Sequence, residues 1–283
     1  MIQKVFVVAA ILITIVALLL ILAWHFQERI AFQPPRGPWR DPASESGNTP
    51  HVEYSTSDGE RLFAYLIGDR SAPAGLLLCF HGNADLAVWR IKWAKEVSAR
   101  TGFTVMLAEY RGYMGLSGRP GYAGSQLDSE AAYLFAANIL RIPADRIAVF
   151  GHSMGSAIAT ELAARHRPAA LLLEAPFTSA HAMSARVTGF RSPTFLWRLG
   201  SRLHYNTVAR VAQVEAPVSV AHGRRDKLIP IDMGEKVFAA AAHKGAWLEV
   251  PNASHNDVSI LGGDDYWKWM AEALRPVTGQ GQR

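Results

Sequence analysis

The run Gly151-His152-Ser153-Met154-Gly155 joins residue types that can build a nucleophile. The apolar stretch Arg146-Ile-Ala-Val-Phe150 leads into it, and the helix-favouring stretch from Ser156 to Ala164 follows. A strand that turns abruptly into a helix strains its corner residue. Glycines two places before and after the serine remove Cβ atoms that would collide, leaving the Ser153 Oγ exposed above the sheet edge. The same bend points backbone N–H groups of the new helix at the reacting atom, which makes the N–H of Met154 a candidate oxyanion donor.

A serine hydroxyl is a poor nucleophile at neutral pH and needs a histidine base, itself oriented by a carboxylate. Both types occur after late apolar runs. Pro217 to Ala221 leads into His222-Gly-Arg-Arg-Asp226, and Ala246 to Val250 leads into Pro251-Asn-Ala-Ser-His255. Asp226 and His255 are therefore the expected orienting acid and base. The alternatives are a turn former or an ion-pair partner of Arg224 or Arg225 for Asp226, and a loop or cap histidine for His255. Asp257 is too close in sequence to His255 to orient it and suits a capping role; Glu174 is the better substitute acid. An earlier apolar run, Gly75 to Phe80, ends in His81-Gly82-Asn83-Ala84. Gly82 lets the backbone pass close to the nucleophile, so the Asn83 N–H is the expected second oxyanion donor. The competing reading has Asn83 or Asp85 capping the next helix. His81, His152 and His222 read as structural. Glu109 to Tyr113 reads as an internal ion pair with aromatic packing, or as a pocket wall.

These groups must be carried by strand ends. His51–Ser55 and Arg61–Ile67, separated by Ser57-Asp-Gly59, predict an antiparallel hairpin. Six further runs predict strands: Gly75–Phe80, Phe103–Ala108, Arg146–Phe150, Ala169–Glu174, Pro217–Ala221 and Ala246–Val250. Most are continuously apolar, as expected where helices cover both sheet faces. Helical patterns fall between them, at Leu86–Arg100, Ser125–Leu140, Gly155–His166, Met233–Ala242 and Asp264–Leu274. The alternation predicts an α/β, doubly wound, mostly parallel sheet with its ligand site above the strands' carboxyl ends.

The chain has 283 residues, 49% of them hydrophobic and 19% charged, which is enough to bury one catalytic core. Cys79 is the only cysteine, so an intramolecular disulfide is excluded. Val5 to Ala23 is almost wholly aliphatic, broken only by Thr14. As a helix its length matches the roughly 30 Å hydrocarbon core of a bilayer, and no small-x-small cleavage site follows it. Residues 1–26 are therefore expected to be a transmembrane anchor, with Trp24 and Phe26 at the interface. Residues 27–50, with Pro34, Pro35, Gly37, Pro38 and Pro42, read as a semi-extended tether. Residues 51–276 are the expected catalytic domain and 277–283 a polar tail. The net charge of +5 suits an anionic lipid surface. No basic-aromatic array points to nucleic acid.

Together Phe80-His-Gly-Asn-Ala84, Tyr110-Arg-Gly-Tyr113, Gly151-His-Ser-Met-Gly155, Ala175-Pro-Phe-Thr-Ser179, His222-Gly-Arg-Arg-Asp226 and His255-Asn256 resemble the α/β-hydrolase-fold serine hydrolases with one N-terminal membrane helix. That group resembles the eukaryotic membrane-associated depalmitoylating and lysophospholipid hydrolases. The resemblance runs from about residue 50 to 275. It implies the α/β-hydrolase fold, a triad of Ser153, Asp226 and His255, oxyanion donors at Asn83 and Met154, and a carboxyl-ester or thioester substrate. Met114, Leu116, Tyr122 and Ser254 depart from the group's usual residues, and these departures bear on the pocket rather than the triad.

Between Glu174 and Glu215 there is no acidic residue, yet Arg186, Arg191, Arg198, Arg202 and Arg210 all occur there. Residues 178–214 are long enough for a small helical cap. Ser192-Pro193 suits a helix start, with Phe195, Leu196, Leu199 and Leu203 following at helical spacing and Arg198 and Arg202 on a neighbouring face. One reading sets these arginines against anionic headgroups while the cap admits an acyl chain; the other packs the helix on the core with solvated arginines. Met114, Tyr122, Phe195 and Arg198 are the candidate substrate-binding residues.

The expected protein is a membrane-anchored serine hydrolase acting on a lipid-like ester or thioester. It needs no metal and no organic cofactor, and its catalytic domain lies outside the cytoplasm. A serine peptidase and a non-catalytic membrane-tethered binding protein are the alternatives.

Overall fold

Runs of five to seven apolar residues, too short for core helices, fill the centre of the molecule as strands. The computed structural model describes residues 2–39, 41–69, 74–189 and 192–278. Its strands are β1 (His51–Ser55), β2 (Arg61–Ile67), β3 (Leu76–Phe80), β4 (Thr104–Ala108), β5 (Ile147–His152), β6 (Ala170–Glu174), β7 (Val218–Gly223) and β8 (Lys244–Val250). They form one sheet in the order β1-β2-β4-β3-β5-β6-β7-β8. β1 pairs antiparallel with β2, with Val52 opposite Ala64, and β2 antiparallel with β4. All later pairings are parallel. Every residue of β3 to β7 is buried, because helices cover both faces.

The helices are α1 (Ile2–Ala31), α2 (Pro42–Glu45), α3 (Ile91–Thr101), α4 (Tyr122–Leu134), α5 (Met154–His166), α6 (Ala180–Thr188), α7 (Thr194–Gly200), α8 (Thr207–Val211), α9 (Ile231–Ala240), α10 (Val258–Leu261) and α11 (Gly263–Thr278). α3 and α11 pack on one face of the sheet, and α4, α5, α8 and α9 lie on the other. A π-turn at Phe135–Ile139 prolongs α4. The chain passes from β3 outward to β4 and then back across β3 to β5. This reversal puts the carboxyl ends of β3 and β5, with the 81–83 loop and Ser153, at the topological switch point where open α/β sheets bind ligands.

Three expectations change at the periphery. α1 is 30 residues long, but among the described residues no helix is long and apolar enough to cross a membrane. The expected anchor over residues 1–26 is thus not found as a span; several side chains on which it rests, among them Val5, Val8, Val16, Leu19 and Leu20, lie outside the described residues. Residues 27–50, expected as a semi-extended tether, instead begin in the last residues of α1, include the short helix α2 and touch the domain. Phe32 is buried in the core, and Tyr65 donates to the Pro42 carbonyl at 3.0 Å. The helix that starts after Pro193 stops at Gly200, so Leu203 and Arg202 lie beyond it. Residues 279–283 of the expected tail, and Arg191 of the cap, fall outside the described residues.

Candidate active site

The β5–α5 junction begins with a steric demand. A Cβ on Gly155 would lie 2.1 Å from the Phe80 carbonyl oxygen, and one on Gly151 would lie 2.2 Å from that of Gly155. No larger residue fits at either place, so the strand can turn into the helix beneath β3 only with glycine on both sides. The corner residue, Ser153, sits at φ 54°, ψ −117°, a conformation costly to any residue with a side chain. Its N–H donates to the Glu174 carbonyl at 2.9 Å, which ties the corner to the neighbouring strand.

The loops after β7 and β8 bring Asp226 and His255 to this corner. His255 Nε2 lies 2.9 Å from Ser153 Oγ, and His255 Nδ1 lies 2.7 Å from Asp226 Oδ2. With Nδ1–H donating to the carboxylate, Nε2 is free to accept the serine proton. The other carboxylate oxygen accepts the N–H groups of Leu228 (2.9 Å) and Ile229 (2.8 Å). Burial pushes the Asp226 carboxyl up, but hydrogen bonds from His222, His255 and the Ile229 backbone outweigh it and hold the group well below the usual carboxylate range. Asp226 is therefore an anion at neutral pH. Arg224, the expected alternative partner, pairs with Glu249 instead.

Around this core the other histidines act as struts. His152 Nε2 donates to the His255 carbonyl at 3.1 Å, and its Nδ1 faces Arg90 Nη2 at 3.3 Å. Burial, with the Arg90 and His255 charges added, keeps the His152 ring well below its ordinary pKa. His222 Nε2 donates to the Ile229 carbonyl at 2.8 Å, bracing the loop of Asp226. His81 Nε2 meets Glu109 at 2.7 Å. Burial lowers the His81 pKa, but the Glu109 carboxylate overcomes this and raises it. Glu174, the substitute acid, lies 3.7 Å from His152 and makes no described contact with His255. Asp257 accepts the Ser254 N–H at 2.6 Å, stiffening the loop that carries His255.

The oxyanion side is built by close approach. A Cβ on Gly82 would sit 3.4 Å from the Ser153 Cβ, so the 82–83 backbone lies against the corner. Met154 is the first residue of α5, where a backbone N–H has no partner within the helix. Neither the Asn83 N–H nor the Met154 N–H is engaged in a described backbone bond. Anion-binding donors need this vacancy.

The four substrate-binding candidates scatter. Met114 is buried, with its sulfur 3.9 Å from the Tyr65 hydroxyl, and so packs in the core. Tyr122 packs edge-on against His204 and Tyr205 of the cap segment. Phe195 and Arg198 are exposed on α7. No described contact joins any of the four to Ser153. The cap arginines are also less free than their sequence implies. Arg202 pairs with Glu28 at 3.0 Å and lies over the Trp24 ring, Arg210 pairs with Glu161 at 2.9 Å, and Arg186 donates to the carbonyls of Lys227 and Leu228. Sequence reasoning missed Gln27, Glu28 and Gln33, whose partners lie far away along the chain, and gave Tyr113 only an aromatic-packing or pocket-wall role.

Several known proteins are similar to this chain. A family profile described as serine aminopeptidase, S33, matches residues 71–206. An uncharacterised protein of Mycobacterium tuberculosis is 34% identical over 270 residues, covering 95% of this chain and 92% of its own. Human alpha/beta hydrolase domain-containing protein 17B is 25% identical over 227 residues, covering 80% of this chain and 76% of its own. Among solved structures, the Pyrococcus furiosus esterase Pf2001 superposes with a TM-score of 0.67 at 19% identity, covering 86% of this chain and 98% of the esterase. That likeness concerns the fold.

Proposed function

We propose, from the premise that the chain belongs to the α/β-hydrolase superfamily, that it is a serine hydrolase cleaving carboxyl esters or thioesters through an acyl-enzyme on Ser153. The observation that carries this reading is the relay from Ser153 Oγ through both nitrogens of His255 to Asp226, at 2.9 and 2.7 Å. His255 Nε2 takes the hydroxyl proton as Ser153 Oγ attacks the carbonyl carbon. The N–H groups of Met154 and Asn83 hold the oxyanion that forms. Collapse expels the alcohol or thiol, protonated by His255. The same ring then takes a proton from water, whose oxygen attacks the acyl carbon and frees Ser153. Asp226 stays ionised throughout and supports the imidazolium.

A lipid-like acyl substrate and attachment to a bilayer belong to the same proposal. Phe6, Ile13 and Ile21 on α1 are 70%, 70% and 61% exposed, and Phe195 and Leu199 on the cap are 64% and 82% exposed. Large apolar groups in such positions suit lipid rather than water. On this reading α1 meets the membrane and the catalytic domain stands on its extracytoplasmic side.

The test is labelling by a fluorophosphonate probe. Wild type is expected to label, and Ser153→Ala and His255→Ala are expected not to. Labelling that persists in Ser153→Ala refutes the nucleophile, and folded wild type that never labels favours a non-catalytic binding protein. The aminopeptidase description of the matching profile supports peptide cleavage as the second reading. Turnover of aminoacyl amides beside a chain-length series of p-nitrophenyl esters separates the two.

A further inference from the structure

The end of α1 and the chain that follows it form a strap against the loop after β3. Asn83 Nδ2 donates to the Ala31 carbonyl at 2.6 Å, and its Oδ1 accepts the Gln33 N–H at 2.8 Å and the Tyr113 hydroxyl at 2.9 Å. Three of the four hydrogen-bonding positions of this carboxamide are thus filled, two of them by the strap. Phe32, between the two strap partners, is only 4% exposed and pins the strap to the core. One turn earlier, Glu28 accepts the Tyr122 N–H at 3.0 Å and pairs with Arg202 at 3.0 Å, while Gln27 accepts the Arg202 N–H at 2.7 Å. A stretch of seven residues therefore touches the 82–84 loop, the start of α4 and the end of the cap helix.

The loop needs that hold. Ala84 sits at φ 52°, which a residue with a side chain adopts only when its surroundings impose it. The Asn83 N–H, one residue earlier, must point at the oxyanion with sub-ångström accuracy for its hydrogen bond to strengthen as charge develops.

We infer that the Asn83 carboxamide is a positioning group, through which the strap at Ala31–Gln33 and the Tyr113 hydroxyl fix the Asn83 N–H for oxyanion stabilisation. The inference rests on the serine hydrolase reading. It makes the strap part of the catalytic assembly, although no strap residue contacts the reacting atoms.

The test uses the full chain in detergent micelles, as Asn83→Ala, Tyr113→Phe and Phe32→Ala. For each, kcat and KM on a short-chain p-nitrophenyl ester are measured beside Tm and amide hydrogen exchange over residues 81–86. Asn83→Ala is expected to lose about 10- to 100-fold in kcat with KM held within about twofold, because the donor acts on the transition state. Tyr113→Phe, which removes one of three bonds, loses roughly 3- to 10-fold in the same way. Phe32→Ala falls between them and adds little to Asn83→Ala in the double variant, since both act through one contact. Exchange over 81–86 quickens in all three.

A fall in Tm with kcat unchanged would make the contacts structural only, and a rise in kcat would make the strap an inhibitor. Either result overturns the inference. If wild type neither labels nor turns over ester, the hydrolase reading fails on its own; exchange over 81–86 then still decides whether the strap holds the loop. Exchange unchanged in Tyr113→Phe and Phe32→Ala would overturn that too.

Discussion

The elbow and the cap lie at the same end of the sheet and are held in different ways. At the elbow, backbone meets backbone: Gly155 lies against the Phe80 carbonyl, Ser153 N–H reaches Glu174, and β5 is hydrogen-bonded on both sides. In the cap, α6, α7 and α8 have few buried residues, and α7 has none. Its anchors are side chains at the margins, such as Arg186 to the 227–228 carbonyls and Arg202 to Glu28. On the proposed reading, the relay is set in the part of the fold that cannot shift without breaking a strand. The surface proposed to admit substrates centres on α7, which has no buried residue and carries the exposed Phe195 and Leu199.

The largest expected effect is at the elbow. Ser153→Ala should lower esterase kcat by about 10⁶-fold with Tm almost unchanged, and steady-state kinetics above the background rate would show it. Asp226→Asn should cost about 10⁴-fold, because His255 loses the anion that fixes its tautomer. The same variant probes stability against pH. The folded Asp226 pKa lies below its ordinary value of 3.8, so the unfolded chain binds the extra proton. The stability Asp226 contributes is complete above that value and is lost as pH falls through it toward the folded pKa. Urea unfolding at several pH values should show a shallower acid loss in Asp226→Asn than in wild type.

Gly155→Ala should destabilise by roughly 3 kcal/mol or more through the clash with β3. Chemical denaturation measures it, and a soluble variant of wild-type stability would break the contrast between elbow and cap. The smallest effect is in the cap. Phe195→Ser should change stability by no more than about 0.5 kcal/mol. It should still lower kcat/KM several-fold for long acyl chains and leave acetyl esters alone. Equal losses on both would mean that the cap supports the fold rather than the substrate.

Where structure follows from neighbours in sequence, it was legible. β1 and β2 span the predicted residues, and the turn at Ser57-Asp-Gly59 pairs them as expected. The loops of Ser153, Asp226 and His255 converge because each follows a strand of one parallel sheet. Features set by distant partners were not legible. The composition of residues 27–50 does not reveal that Ala31 and Gln33 dock on Asn83, which also accepts from Tyr113, or that Phe32 is buried in the core. The absence of acids from 175–214 correctly describes the segment and misdescribes Arg202 and Arg210, whose carboxylates come from Glu28 and Glu161. Leu203 continues the apolar spacing of Phe195 and Leu199, but the helix ends at Gly200, where Ser201 and Arg202 turn to Gln27.

The backward-bent corner at position 153, with φ at 54°, sets heat tolerance against turnover. Glycine would relax a conformation that costs a residue with a side chain on the order of 1 to 3 kcal/mol. Ser153→Gly should therefore melt higher than the active protein while doing no chemistry. A library screened only for survival at high temperature would collect such chains and present inert ones as improvements. Any campaign to harden this protein has to score hydrolysis in the same round as melting.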